Sequence, residues 1–305
     1  SVLYDMADYD RSLEYYNKAL DIYKKLYDDN YPEFAVIYFN IGKIHNKLGD
    51  YDTALKYCHD AIAIMQGEAD SYHPYLSIVY NGIGEIYLTS KDYDRALEYY
   101  YKALDIDNLS STNGVNKAHT VNNIANVYHV RKMNSYALKY YLEALDINKM
   151  YLGEYNPACG RSYTSIGHVY SQMEQYDSAL ECYAKAEAIF VKSVGKDSPI
   201  LSKVHCYQGD IHRKRNQREK ALEHYFAALA VSLGSSSVDH AQAANVNVLI
   251  GMLHFEQNEI PQAISYLTTA LRHIENCGDE GRNAKISALG YLGRSHYAIN
   301  EYAES

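Results

Sequence analysis

Residues 93–104 read YDRALEYYYKAL, and the same pattern returns along the whole chain. It stands as YDRSLEYYNKAL (9–20), YDTALKYCHDAI (51–62), NSYALKYYLEAL (134–145), YDSALECYAKAE (176–187), REKALEHYFAAL (218–229) and IPQAISYLTTAL (260–271). Superposition puts Ser12, Ala54, Ala96, Ala137, Ala179, Ala221 and Ala263 in one register, with steps of 42, 42, 41, 42, 42 and 42 residues. About a dozen residues upstream runs a second small-residue register: Gly42, Gly84, Ala125, Gly167, Gly209, Gly251 and Gly293. A period held over this many copies marks a repeat array. Each unit of such an array packs only on its neighbours, so 305 residues need not be split into ordinary globular domains.

Within each unit the apolar residues follow a helical period. Ala96, Tyr100, Ala103 and Leu104 fall on one face of a helix, and Tyr80, Ile83, Gly84 and Tyr87 do the same in the segment before it. Between the two stand turn signals such as LGDYD (48–52) and SKDYD (90–94), where Asp can cap the second helix. Polar connectors (DDNYP, ADSYHP, SSTNG, GEYNP, GKDSP, GSSSVDH, CGDEGRN) join the units. Pro32, Pro74, Pro157 and Pro199 each sit where a first helix can begin, since a first-turn proline gives up no hydrogen bond. Each unit therefore reads as two antiparallel helices, and nothing reads as strand. Glycine inside a helix costs roughly 1 kcal/mol against alanine, so glycines held in register need a packing reason. Gly84 and Ala103 are expected to sit where crossing helices approach closely.

A small residue in the first helix, an aromatic three later, then Ala-x-x-x-aromatic-x-x-Ala in the second resembles the tetratricopeptide repeat. Tyr87, Ala96, Tyr100 and Ala103 carry the pattern whole. The 42-residue period with Pro-led first helices is similar to the kinesin light chain subtype. WD40 blades are built of strands and carry Trp, which this chain lacks; HEAT and armadillo units lack the paired Gly and Ala registers. The resemblance implies an all-α solenoid, a right-handed superhelix of seven near-complete antiparallel pairs with first helices on the concave side. Over 1–305 it is expected as one array: a partial repeat 1–26, repeats about 31–69, 73–109, 115–152, 157–194, 199–234 and 240–277, and a partial repeat 283–305. Both ends look cut, so a fragment of a longer protein is expected.

Composition narrows the function. Apolar residues make 47% and charged residues 22%, a globular balance. A net charge of −9 argues against nucleic acid, which needs a basic face. No apolar run approaches the ~18–20 residues that span a bilayer, so no membrane partner is expected. Thirty-four tyrosines with no tryptophan call for many half-buried positions where a hydroxyl finds a partner. Cys58, Cys159, Cys182, Cys206 and Cys277 form no C-x-x-C pair, which points to a reduced, cytoplasmic setting.

Chemistry-bearing residues mostly fall into the repeat. His45, His212, His254 and His296 take the slot of Tyr87, Tyr128 and Tyr170, so they read as packing substitutes. His119 and His129 are ten residues apart on one helix, which does not chelate. His168 and Asp210 occupy equivalent slots of neighbouring repeats and are expected to be close, yet no nucleophile or oxyanion motif accompanies them. Gly82 and Gly84 lie in a helix and make no phosphate loop. No catalytic residue, metal site or cofactor is expected.

Asparagines are the stronger lead. Val121-Asn122-Asn123-Ile124-Ala125-Asn126 resembles the first-helix segment whose asparagines, in kinesin light chains, face the groove and bond cargo backbone; Asn40 and Asn81 keep one member of the pair each. An Asn offers both donor and acceptor. Groove slots placed by spacing carry Lys43, Lys47, Arg161, Lys203, Arg213, Lys214 and Arg294 against Glu85, Asp210 and Glu256. The expected site is thus a peptide groove of Asn40, Lys43, Asn81, Asn122, Asn123, Asn126, His129, Arg161, His168, Lys203, Arg213 and Lys214. Its partner is expected to be a neutral to acidic protein segment. Two other roles stay open: a sensor or regulatory arm of a larger enzyme or signalling ATPase, and an architectural self-association module.

Overall fold

The computed structural model describes residues 9–28, 31–66, 75–109, 114–234, 238–277 and 281–304. Among them are fourteen helices and no strand, in two compact units, Ser1–Leu152 and Gly153–Ser305. Unit 1 holds α1 (Tyr9–Leu26), α2 (Glu33–Leu48), α3 (Tyr51–Gln66), α4 (Tyr75–Thr89), α5 (Tyr93–Leu109), α6 (Gly114–Val130) and α7 (Asn134–Leu152). Unit 2 holds α8 (Pro157–Gln172), α9 (Tyr176–Val194), α10 (Pro199–Lys214), α11 (Arg218–Gly234), α12 (His240–Glu256), α13 (Ile260–Ile274) and α14 (Arg282–Glu304). Six helix pairs are complete among the described residues; α1 stands as a second helix and α14 as a first helix. First helices also touch one another, α2 with α4, α4 with α6 and α10 with α12.

The turns inside the pairs repeat as strictly as the helices. Gly49 has φ 81, and Lys91, Lys132, Glu174, Asn216 and Asn258 take the same left-handed position with φ between 55 and 66. That residue stops the first helix and turns the chain back. The carboxylates of Asp50 and Asp92 then accept from the N–H of Thr53 at 3.3 Å and Arg95 at 3.1 Å, capping α3 and α5 as expected. Pro157 and Pro199 open α8 and α10, and Pro32 stands at the N-cap of α2. Pro74 lies outside the described residues.

The reason for the small registers is visible in the packing. Ala54, Ala96, Ala137, Ala179, Ala221 and Ala263 are fully buried. A Cβ added at Gly84 would lie 2.5 Å from the ring of Tyr100, and at Gly167 and Gly209 2.6 Å from Tyr183 and Tyr225. The glycine is a seat for the signature tyrosine of its own pair. At Gly293 on α14 a Cβ would meet nothing within 4 Å.

In five of the six complete pairs a second aromatic of the second helix stacks on the first helix; in α9 that slot is Cys182. The stacked pairs are His45–Tyr57, Tyr87–Tyr99, Tyr128–Tyr140, His212–His224 and His254–Tyr266, with centroids 5.2–5.8 Å apart. Three of the four substitute histidines thus pack in place of tyrosine, while His296 is exposed. Tyrosine suits these half-wet seats because its hydroxyl can be paired: that of Tyr101 lies 3.2 Å from Tyr128's and 2.9 Å from Tyr140's.

Candidate functional site

In unit 1 the first helices α2, α4 and α6 enclose a cavity of about 520 Å³. It gathers four of the residues singled out in the sequence: Lys43, Asn81, Asn123 and Asn126. It also takes in Glu85, counted among the groove anions, and Phe39 and His119, which the expected groove did not include. Gly82 makes the space, because a Cβ there would run into the ring of Phe39. His119 stands one helical turn before Asn123, and that i, i+4 spacing was the available signal. Asn40 and Asn122 are half-buried outside the cavity lining, and His129 sits near the end of α6, edge-on to Tyr141 at 6.4 Å.

The cavity floor is a chain of polar contacts. The Asn81 amide nitrogen donates to the Ser77 carbonyl at 3.0 Å and to Thr120 Oγ1 at 2.7 Å. Thr120 lies 2.7 Å from Asp107 Oδ2, and Asp107 is only 1% exposed. Asn123 Nδ2 bonds Asn81 Oδ1 at 3.1 Å and approaches His119 Nδ1 at 3.3 Å. Burial between the groove walls holds the His119 imidazole below its ordinary value, against Glu85 and Asp107, which pull it up. At the rim Lys47 pairs with Glu85 at 3.2 Å, and the Lys43 ammonium lies 5.9 Å from the Phe39 ring centre.

In unit 2 a second cavity, of about 360 Å³, lies among α10, α12 and α14, with Lys203, Cys206, Tyr207 and Asp210 facing Gln242 and Met252. Arg213 is tied to Glu256 at 2.8 Å and lies 3.9 Å from Asp210. Lys214 and Arg161 are exposed, the former 3.4 Å from Ser171 Oγ. Every anion counted for the groove thus already meets a counted cation. His168 and Asp210 each engage the tyrosine of their own pair. Tyr183 lies 3.3 Å from His168, Tyr225 donates to Asp210 at 2.7 Å, and the Tyr207 ring sits 4.2 Å from the His168 ring. Asn126 does the same in unit 1, accepting from Tyr141 at 2.6 Å.

Buried thiols complete the picture. Cys58 and Cys206 are pushed up to about 12, and Cys182 to about 11, in each case first by burial, so none is a ready nucleophile. Among the described residues no helix is long and apolar enough to cross a membrane. Nor do three or more His, Cys, Asp or Glu there converge as a metal site.

Models of the tetratricopeptide repeat match residues 33–108, 117–190 and 166–233, and a second such model matches 1–33. The chain belongs to the tetratricopeptide repeat family. No curated protein matches it in sequence. Solved structures with the same fold include BtubC (BKLC) from P. vanneervenii, 15% identical over 74% of this chain and 90% of that one, TM-score 0.64. A putative kinesin light chain from Podosopora anserina, with nearly identical repeats, is 16% identical over 67% and 96%, TM-score 0.57. The Rap conjugation gene regulator of plasmid pLS20, solved with the Phr* peptide, is 16% identical over 88% and 76%, TM-score 0.55. At these identities the likeness is one of fold. A tetratricopeptide array is a protein-interaction scaffold, whose stacked repeats offer an extended binding surface.

Proposed function

We propose that this tetratricopeptide protein is a non-enzymatic scaffold that holds a peptide segment of a partner against its first helices, with the unit 1 cavity as the principal seat. The observation that carries the reading is the convergence of Lys43, Asn81, Asn123 and Asn126 from three successive first helices on one concavity of about 520 Å³. Apolar surface from Phe39, Ile78 and Leu88 lies beside amides there, the mixture that binds a side chain while fixing a backbone. The Rap regulator solved with a peptide supports it by likeness of fold. Within unit 2, Lys203 and the Lys214 end of α10, with Arg161 and His168 on α8, offer a second, separate contact surface. The partner is a neutral to acidic protein segment. Its acidic preference is mild, because Glu85 already engages Lys47, and Asp210 and Glu256 engage Arg213. Nucleic acid and membrane are not its targets, and its setting is the cytoplasm.

The test begins with peptides selected from a random display library on the full chain. Their affinity is then measured by calorimetry for the double variant Lys43→Glu, Leu88→Lys, with folding checked by circular dichroism. A loss of about tenfold or more, roughly 1.4 kcal/mol, is expected. Peptides that bind this variant like the parent, yet are lost when the exposed second-helix residue Leu142 becomes Glu, would place the working face elsewhere.

A further inference from the structure

The polar chain under the unit 1 cavity has a direction, and it starts from groups with no choice of role. The Ser77 carbonyl can only accept, so the Asn81 side chain must turn its nitrogen toward it, at 3.0 Å. The same nitrogen donates to Thr120 Oγ1 at 2.7 Å. Thr120 therefore accepts from Asn81 and must send its single proton onward. Both remaining neighbours, Asp107 Oδ2 at 2.7 Å and the Asn116 carbonyl at 3.1 Å, can only accept. With its nitrogen committed inward, Asn81 presents its oxygen to Asn123, whose Nδ2 donates at 3.1 Å. The other hydrogen of that nitrogen points to His119 Nδ1 at 3.3 Å. Nδ1 is then the lone-pair nitrogen, and the proton of the neutral ring sits on Nε2.

Two groups are left for a visitor: the acceptor Asn123 Oδ1 and the donor His119 Nε2–H, four residues apart on one face of α6 and both lining the cavity. We infer that Asn123 and His119 read a single amide group, taking its N–H on Asn123 Oδ1 and giving Nε2–H to its C=O, and that Thr120 is the positioning residue that, together with the Ser77 carbonyl, holds this sense. The inference rests on the groove reading above and names what the seat selects. A carboxylate has no donor for Asn123 Oδ1. An ammonium or guanidinium has no acceptor for His119. An amide supplies one of each, whether from a peptide unit or from the side chain of Gln or Asn.

The experiment uses the full chain labelled with ¹⁵N. Long-range ¹⁵N–¹H spectra of the histidines report the tautomer of His119 directly, and Nε2–H is expected. Three small probes are then titrated: N-acetylglycine N-methylamide for a peptide unit, propionamide for a side-chain amide, and methyl propionate as an ester without N–H. One of the amides is expected to shift the His119 ring and Asn123 side-chain signals to saturation, and which one does so identifies the source. The ester is expected to bind about fivefold more weakly or worse, the scale of one lost hydrogen bond. Thr120→Val keeps the shape but removes the hydroxyl that accepts from Asn81. It is expected to redistribute the His119 tautomers and to weaken the amide about fivefold, while Thr120→Ser restores both. A purely structural role for Thr120 would leave the tautomer signal unmoved. An Nδ1–H tautomer, equal binding of amide and ester, or no saturable shift at His119 and Asn123 each overturns the inference. If the display-selected peptides still lose affinity with Lys43→Glu, Leu88→Lys, the groove reading survives that failure; if they do not, both fall.

Discussion

The phenol of Tyr225 donates a 2.7 Å hydrogen bond to the carboxylate of Asp210, joining the buried signature ring of α11 to the slot just past the small residue of α10. The same link joins Tyr141 to Asn126 and Tyr183 to His168. Each signature ring is almost wholly buried, and a buried hydroxyl left unpaired costs about 1–3 kcal/mol. The slot that looked like a groove contact therefore also closes the core.

Asp210 gives this link a pH dependence. Burial holds its carboxyl above the ordinary carboxylate value, against Tyr225 and Arg213, which pull it down. A folded-state value above the unfolded one means that the native protein holds this proton more tightly. The stability it contributes is full below the ordinary value of ~4 and is lost as pH rises through the raised one. Asp210→Asn keeps an acceptor for Tyr225 without a buried charge. In urea unfolding it is expected to match or exceed the parent at pH 7, with the gap narrowing as pH falls toward ~4. An Asn variant that is weaker than the parent at pH 7, by a margin that shrinks as pH falls, would show that the Arg213 attraction dominates.

The glycine register makes a paired prediction. Gly84→Val forces a side chain into the ring of Tyr100 and should cost ~1–3 kcal/mol or more by overpacking. Gly293 holds the same sequence slot, yet a Cβ there meets nothing. Gly293→Ala should instead stabilise by up to roughly 1 kcal/mol through helix propensity alone. Thermal melts of the two variants decide it, and equal losses in both would refute the ring-seat explanation.

How far the sequence carries is clear from the same residues. The helix pairs, their turns and the Asp50 and Asp92 caps were legible because period and capping are local properties. The slots of Asn81, Asn123 and Lys43 were legible because the repeat fixes which way a first helix faces. Asp107 and Thr120 were not. Asp107 stands where other second helices carry Met65, Asn148, Phe190, Ser232 and Ile274, all buried, so by alignment it is a core position and its contact with Thr120 belongs to tertiary packing. The cation excess of the groove was misleading for a related reason. Lys47 with Glu85 and Arg213 with Glu256 pair across first helices, 38 and 43 residues apart, which a count of charges by slot does not register.

His224 provides a second pH handle, of opposite sign. It stacks on His212 at 5.2 Å and lies 6.1 Å from His205, both on α10, with Glu187 of α9 and its neighbour Glu223 acting on it as well. Burial first, then His212 and His205, depress its value, while Glu187 and Glu223 raise it. A depressed histidine means that the unfolded chain takes up the proton more readily. The stability tied to the neutral ring is present above the ordinary value of ~6.5 and is lost as pH falls through the depressed one. His224→Phe keeps a flat ring in the stack without a site to protonate. Its unfolding free energy is expected to stay within ~1.5 kcal/mol of the parent at pH 8 and to fall less steeply between pH 7 and 5. A slope unchanged from the parent would assign the acid sensitivity to other groups.

Asn126 separates holding the fold from holding a partner. Its side-chain oxygen accepts from Tyr141, whose ring is only 2% exposed, and the residue also lines the unit 1 cavity. Asn126→Ala removes this acceptor from the buried phenol and should cost about 1–3 kcal/mol of stability. Tyr141→Phe removes the donor of the same bond, and the double variant removes both. The double variant is therefore expected to be less destabilised than the sum of the two single changes, with a coupling of about 1 kcal/mol or more. Asn126→Asp, which retains an acceptor, should stay close to the parent in the same urea titration. Additive losses in the cycle would mean that the bond carries no stability. A loss of peptide affinity in Asn126→Asp, at unchanged stability, would assign Asn126 directly to the partner.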